Sequence, residues 1–355
     1  DDTFDFSGYV LGFQGFATRA IDGKSTHWVN LRGGSDTIIG NGNTGIYFTS
    51  ANSLTNASGK TGGVTIDLKL AQADLSNISG YGTLKYSGIE AIGGTKFADT
   101  LIGGVTSNND FESFRGEGGN DTIDGGSGYD RAVYSNATEA ISVVLPTKTS
   151  DGTVTGGTSV GTDTLKNIES ITATDFADTL DARNYYSAYS TANDFMPGGG
   201  DDIIYGSGNT RVNYENALVA VKADVSSGAD ALNAGDKTAA DYYSLGKDTY
   251  NGGISGLIGS NFSDMLLGSA NGDGNLLAEY FRGNGGNDTI DGGFGINTLD
   301  FSATNPTNLV VNLAQNTATS TLTGNDQVTN FQNVKGGTGA DTITGSDAAN
   351  LIDAG

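Results

Sequence analysis

The chain of 355 residues contains no cysteine, one histidine (His27), one tryptophan (Trp28) and three prolines. Without cysteine there is no disulfide frame, no thiolate zinc site and no cysteine nucleophile. A single histidine excludes a multi-histidine metal centre and argues against histidine acid–base chemistry. Basic residues are scarce: 18 Lys and Arg stand against 41 Asp and Glu, for a net charge of −23 and a pI near 4.1. That charge repels the phosphates of nucleic acid and of anionic lipid, so neither is an expected partner. No apolar run approaches the roughly 20 residues of a membrane span, so no direct membrane insertion is expected. The H-E-x-x-H and G-x-S-x-G signatures of metalloproteases and serine hydrolases are absent too.

What the chain has is glycine, 56 residues of it, and aspartate, which outnumbers glutamate 34 to 7. With 36% hydrophobic residues the composition alone fits a disordered chain, but the apolar residues recur at fixed places. Gly116–Asp124 and Gly125–Val133 follow the nine-residue pattern G-G-x-G-x-D-x-U-x in tandem, where U is a large apolar residue. Gly283–Asp291 and Gly292–Asp300 do so again, and Gly336–Thr344 fits at every position. A second motif is interleaved: Phe97-Ala98-Asp99-Thr100-Leu101, Phe176-Ala177-Asp178-Thr179-Leu180 and Phe262-Ser263-Asp264-Met265-Leu266, with Asp341 in the same place of the last repeat. An apolar residue stands seven before each Asp (Ile92, Ile171, Leu257, Val334), so the period of nine persists where glycines are lost.

The motifs assemble into a larger unit. Asp36, Asp121, Asp202 and Asp288 are separated by 85, 81 and 86 residues; Asp99, Asp178, Asp264 and Asp341 by 79, 86 and 77. This gives four blocks, 29–113, 114–194, 195–280 and 281–355, with 1–28 as the tail of a preceding block. The pattern starts and stops mid-block, and a longer protein is expected. Val64–Leu68, Ile141–Leu145, Val219–Val225 and Leu309–Leu313 read as strands. The stretches 40–62, 105–113, 146–162, 183–194 and 227–252 read as loops, with a short helix possible at Asn275–Glu279. The expected fold is all-β: a parallel β-roll or β-helix solenoid with irregular loop insertions.

The nine-residue spacing has a chemical consequence. The last three residues form a short strand with U inward. Glycines in the first six open backbone conformations closed to other residues and expose carbonyl oxygens. One Asp adds a carboxylate. Carbonyls plus carboxylates make a hard oxygen site that suits Ca²⁺ better than Mg²⁺ or softer metals. The candidate ligands are Asp36, Asp99, Asp121, Asp130, Asp178, Asp202, Asp264, Asp288, Asn297 and Asp341. The turn glycines are Gly116, Gly119, Gly125 and Gly128, their copies Gly283, Gly286, Gly292 and Gly295, and Gly336 and Gly339. Asp201 competes with Asp202, and some of these Asp residues could instead cap turns through backbone N–H groups. The place of Asp130 is read as Gly45, Arg211 and Asn297 in the other blocks, with Arg211 marking a vacant or ion-paired position. Glu112, Glu139, Glu215 and Glu279 show no pairing. Files of carboxylates repel one another without cations, so several Ca²⁺ ions and coupled folding are expected, at roughly 10⁻⁴–10⁻³ M per site.

The units at 116–133, 283–300 and 336–353 resemble the calcium-binding nonapeptides of the RTX (repeats-in-toxin) family. Ile168-Glu169-Ser170-Ile171 leading into Phe176–Leu180 is similar to a longer pattern of large bacterial RTX proteins. The resemblance implies a parallel β-roll with Ca²⁺ between turns, type I secretion and an extracellular or cell-surface location.

A non-catalytic structural segment follows as the expectation: surface layer, adhesin or matrix material whose partners are calcium, like subunits or cell-surface polysaccharide. A carbohydrate- or ice-binding module is one alternative, with Tyr185, Tyr186, Tyr189, Tyr242 and Tyr243 as its aromatics. A polysaccharide lyase or epimerase, or the secretion module of one, is another. Gly40-Asn41-Gly42-Asn43-Thr44-Gly45 matches a dinucleotide fingerprint, but Ile46-Tyr47-Phe48 reads as strand where a helix is required.

Overall fold

A computed structural model describes residues 2–5, 27–31, 34–48, 62–78, 80–104, 111–225, 229–233, 245–269, 278–304 and 306–355. The expected helix at Asn275–Glu279 and the loop tyrosines Tyr242 and Tyr243 fall wholly or mainly outside these residues. Every regular element among the described residues is a strand, and most are three or four residues long. The chain forms two compact units, residues 1–174 with 184–191, and residues 175–183 with 192–355.

Within each unit, successive short strands alternate between two parallel sheets, and the apolar U residues stack in register. In the first unit, Ile46, Ile92, Phe114, Ala132 and Ile171 form one row. Ile66, Leu101, Ile123 and Leu165 form the facing row. The second unit repeats this with Phe195, Val212, Leu257, Phe281, Leu299 and Val334. Its other sheet stacks Leu180 on Ile204, and Leu266 on Ile290 and Val328. All are buried. A three-residue strand buries one large side chain, too little to hold alone, so each coil is stabilised by the coil beneath it. The architecture is the expected all-β parallel β-helix.

The loop reading needs correction. Residues 146–162 and 227–252 carry strands. Ser142–Val144, Gly152–Thr155 and Thr162–Lys166 form an antiparallel meander. Val221–Asp224, Ala229–Asn233 and Lys247–Tyr250 form a second, and Val310–Asn312, Thr317–Ser320 and Gly324–Thr329 a third. Each meander enters its parallel sheet in reverse: its third strand joins the preceding coil, as Leu165 does on Ile123. In the second and third meanders the first strand joins the following coil, as Val311 does on Ile343. The stretch 40–47, also expected as loop, belongs to the strand Thr37–Tyr47 with a register shift between Ile39 and Thr44. The fingerprint residues and Ile46-Tyr47 are themselves strand, where the motif would have to open a helix, which removes the dinucleotide reading.

Candidate metal site in the glycine turns

The aspartates of the repeats end up inside the turns. Asp99, Asp121, Asp130, Asp178, Asp202, Asp264 and Asp288 are all at most 3% exposed, and Asp36 is 7% exposed. Each enters its turn two residues before an inward U residue, so its side chain lies at the edge of the core. There the carboxylates form hydrogen-bonded ladders from coil to coil.

One ladder in the first unit runs from the Val64 N–H to Asp99 Oδ1 (2.6 Å), from the Asp99 N–H to Asp121 Oδ1 (2.8 Å) and from the Asp121 N–H to Asp163 Oδ1 (2.9 Å). The second unit has the same series. The Asp178 N–H donates to Asp202 Oδ1 at 2.7 Å, and the Asp202 N–H to Asp248 at 3.1 Å. The Val221 N–H donates to Asp264 at 2.7 Å, the Asp264 N–H to Asp288 at 2.8 Å, and the Asp288 N–H to Asp326 at 3.0 Å. Asp36 receives the Asp2 N–H at 3.0 Å. These bonds satisfy buried amide groups at the turns, where the sheet ladder stops.

Asp163, Asp248 and Asp326 are rungs that the sequence reading missed. They stand in the third strands of the meanders, in Gly161-Thr162-Asp163-Thr164-Leu165, Gly246-Lys247-Asp248-Thr249-Tyr250 and Gly324-Asn325-Asp326-Gln327-Val328. The G-x-D-x-U core of the nonapeptide was present in all three.

A second file contains two of the remaining glutamates, Glu112 and Glu279. Glu112 donates its N–H to Asp130 Oδ1 (2.9 Å), and Asp130 donates its own to Glu169 Oε2 (2.8 Å). The Glu112 carboxylate accepts the Gly104 N–H at 2.9 Å. In the second unit the file is Glu279 to Asn297 Oδ1 (3.2 Å) and Asn297 to Gln332 Oε1 (2.8 Å). Glu139 accepts the Ser159 N–H at 3.0 Å. Glu139 and Glu215 stay outside the ladders, and the Glu215 N–H is held by Asn213 in a local turn.

The register also moves two places by one residue. The counterparts of Asp130 are Thr44 and Thr210, not Gly45 and Arg211, because Ile46 and Val212 are the buried U residues. Thr210 Oγ1 accepts the Ser207 N–H at 2.8 Å. Arg211 points outward and pairs with Asp194. Of the two adjacent acids, Asp202 is the buried rung. Asp201 is exposed and accepts the Lys247 N–H at 2.8 Å.

The geometry divides the candidate ligands by their second oxygen. In Asp99, Asp264 and Asp341 this oxygen accepts the backbone N–H four residues earlier, from Thr95 (2.6 Å), Ser260 (2.6 Å) and Gly337 (3.0 Å). These carboxylates are capped at both ends. In Asp121, Asp130, Asp202 and Asp288 the residue four earlier is left-handed: Glu117 (φ 69°), Gly126 (86°), Gly198 (86°) and Asn284 (65°). The second oxygen of all four is buried with no hydrogen-bond partner. Buried oxygens of this kind are costly unless a proton or cation meets them.

Electrostatics agrees with the geometry. Burial, reinforced by Asp163, pushes Asp121 up to about 9; burial, with Glu112 and Glu169 nearby, pushes Asp130 to about 9. Burial beside Asp248 raises Asp202 to about 10, and burial with Asp326 and Asp264 raises Asp288 to about 8. Each carboxyl needs a positive partner to ionise near neutrality.

A hard cation fits this donor set. The turns offer carboxylate and backbone carbonyl oxygens and neither sulfur nor imidazole. A Cβ on Gly94, 2.8 Å from the Gly116 carbonyl oxygen, would crowd the carboxylate of Asp99; one on Gly259, 3.0 Å from the Gly283 oxygen, would crowd that of Asp264. Gly116 and Gly283 are in turn closed off by Asp121 and Asp288. Among the described residues no three acidic or histidine side chains converge on one point, so any cation here would draw most of its ligands from carbonyls. No family model matches the chain, and no curated protein matches it.

Proposed function

We propose that this chain is a calcium-binding, calcium-folded structural segment of a secreted bacterial protein of the RTX type. The observation that carries the reading is the set of four orphaned carboxylate oxygens, on Asp121, Asp130, Asp202 and Asp288. All four are buried in glycine turns at matching places of the repeat. Ca²⁺ tolerates one carboxylate and several carbonyls in irregular geometry, whereas Mg²⁺ demands a tight octahedron. Ion binding supplies the attraction that a thin core and a charge of −23 lack.

The repeating coils argue for scaffold rather than catalysis: the acids are spent on backbone N–H groups in ladders. On this reading the segment folds on reaching calcium outside the cell, as surface-layer, adhesin or matrix material.

The test is a calcium titration of the full chain followed by circular dichroism and calorimetry. At neutral pH strand signal and melting temperature should both rise with calcium and both fall in EDTA. A fully formed strand spectrum in EDTA with no heat of calcium binding refutes the reading.

A further inference from the structure

Two turns in different units are copies of one another, and differ by the exchange of two acids for two amides. In the first, the Asp130 N–H donates to Glu169 (2.8 Å), and Glu169 and Ser170 donate their N–H groups back to the Asp130 carbonyl (3.0 and 2.9 Å). In the second, the Asn297 N–H donates to Gln332 (2.8 Å), and Gln332 and Asn333 donate back to the Asn297 carbonyl (3.2 and 3.0 Å). Left-handed Asn167 (φ 48°) and Asn330 (φ 62°) occupy the same place, each donating its side-chain amide to the matching aspartate, Asp124 or Asp291.

The difference falls on the atoms that matter. Asn297 Nδ2 donates to the carbonyl oxygens of Gly292 (2.6 Å) and Asn330 (3.1 Å). The atom in its place in the first unit is Asp130 Oδ2. It faces the same surroundings, since a Cβ on Gly125 would meet both it (2.6 Å) and the Asn167 carbonyl oxygen. There a carboxylate oxygen stands where the twin turn has an amide N–H donor, beside the Asn167 carbonyl oxygen. Asp130 Oδ2 is buried without a hydrogen-bond partner, and Glu169 Oε1 is buried beyond a well-aligned one, with the Ser187 hydroxyl beside that carboxylate; both residues are 0% exposed.

We infer that Glu169, a residue outside the nonapeptide pattern, joins Asp130 and the Asn167 carbonyl in holding one Ca²⁺ ion, and that Asn297 and Gln332 form an ion-free twin in which amide hydrogens replace the cation. The inference rests on the calcium reading above, and assigns to each unit a different demand for the ion at this turn. An amide NH₂ supplies by covalent means the positive edge that two carboxylates take from a divalent cation. With its acids ionised the acidic turn needs calcium to close; the amide turn is closed without it.

Reciprocal exchange tests it, with ion stoichiometry by calorimetry and melting temperature in EDTA as readouts on the full chain. Asp130→Asn/Glu169→Gln should lose one calcium ion relative to wild type and melt higher in EDTA. Asn297→Asp/Gln332→Glu should gain one ion, melt lower in EDTA and recover with calcium. Glu169→Gln alone should weaken one site while leaving the other ions in place. Unchanged stoichiometry in both double variants overturns the inference while leaving calcium binding elsewhere intact. A wild-type chain that takes up no calcium overturns the calcium reading itself.

Discussion

At the residue scale, the glycines do two jobs, and only one of them is conformational. Gly116 and Gly283 are small because a carboxylate lies against their Cα: a side chain on either would strike Asp121 or Asp288. Gly119 and Gly286 are left-handed (φ 125° and 119°), and a Cβ on either would sit 2.5 Å from the carbonyl carbon of Phe97 or Phe262 in the adjacent coil. The Phe-Ala-Asp and Phe-Ser-Asp motifs are therefore the floor on which the next glycine turn rests. Gly119→Ala combines strain with overlap and should lower stability by about 1–3 kcal/mol or more, read as the urea midpoint in saturating calcium. An unchanged midpoint would show that the turn opens freely. The candidate ligands Gly128 and Gly295 share the left-handed geometry at φ 139° and 119°, whereas Gly339 is crowded by Thr307 and Asn308.

At the scale of the element, the meanders decide where the ladders end. Tyr214 lies after the strand Thr210–Asn213 and donates its hydroxyl to Asp248 Oδ2 in the third meander strand, at 2.7 Å; Tyr250 stands 2.7 Å from the same hydroxyl. Tyr134 does the same for Asp163 at 3.0 Å. The next copy has Phe301, which offers no hydroxyl to Asp326. Tyr214→Phe strips a buried acceptor of its donor and should cost about 1–3 kcal/mol, seen as faster amide exchange in Lys247–Tyr250. Exchange there that matches wild type would mean the meander is held by its strand pairs alone. These meanders also mark how far sequence reading reached. The U residues and the parallel coils were legible because a period of nine survives the loss of glycine, as Ile92 and Leu101 show. The second and third meander strands were not, because Gly152–Thr155 and Thr162–Lys166 are short, threonine-rich and bounded by glycines, as a loop would be. Glu112 and Glu169 escaped for another reason. The Glu112 carboxylate accepts the N–H of Gly104, eight residues earlier, and that of Glu169 accepts the N–H of Asp130 in another coil; no spacing of side chains along the chain announces a contact to backbone.

At the scale of the whole molecule, the buried acids set the response to pH. An unfolded aspartate titrates near 3.8, whereas in the folded chain burial pushes Asp121, Asp130 and Asp288 up to about 9, 9 and 8, and raises Asp202, beside Asp248, in the same direction. Between those values the folded state binds more protons than the unfolded state, so stability falls as pH rises. The contribution is fully present below pH 3.8 and is lost as pH climbs through the folded values. The usual carboxylate, lowered by a salt bridge, has the opposite sign, and here Asp181 beside Arg183 is such a case at the surface. On the proposed calcium reading the dependence reverses, because an ion bound to these oxygens would displace their protons and need the ionised form. In EDTA the chain should therefore melt higher at about pH 4.5 than at about pH 8.5, and added calcium should raise the melting temperature far more at the higher pH. Calcium-free protein that is more stable at the alkaline pH would show that the ladder carboxylates are ionised without an ion, and that the orphaned oxygens have found another partner.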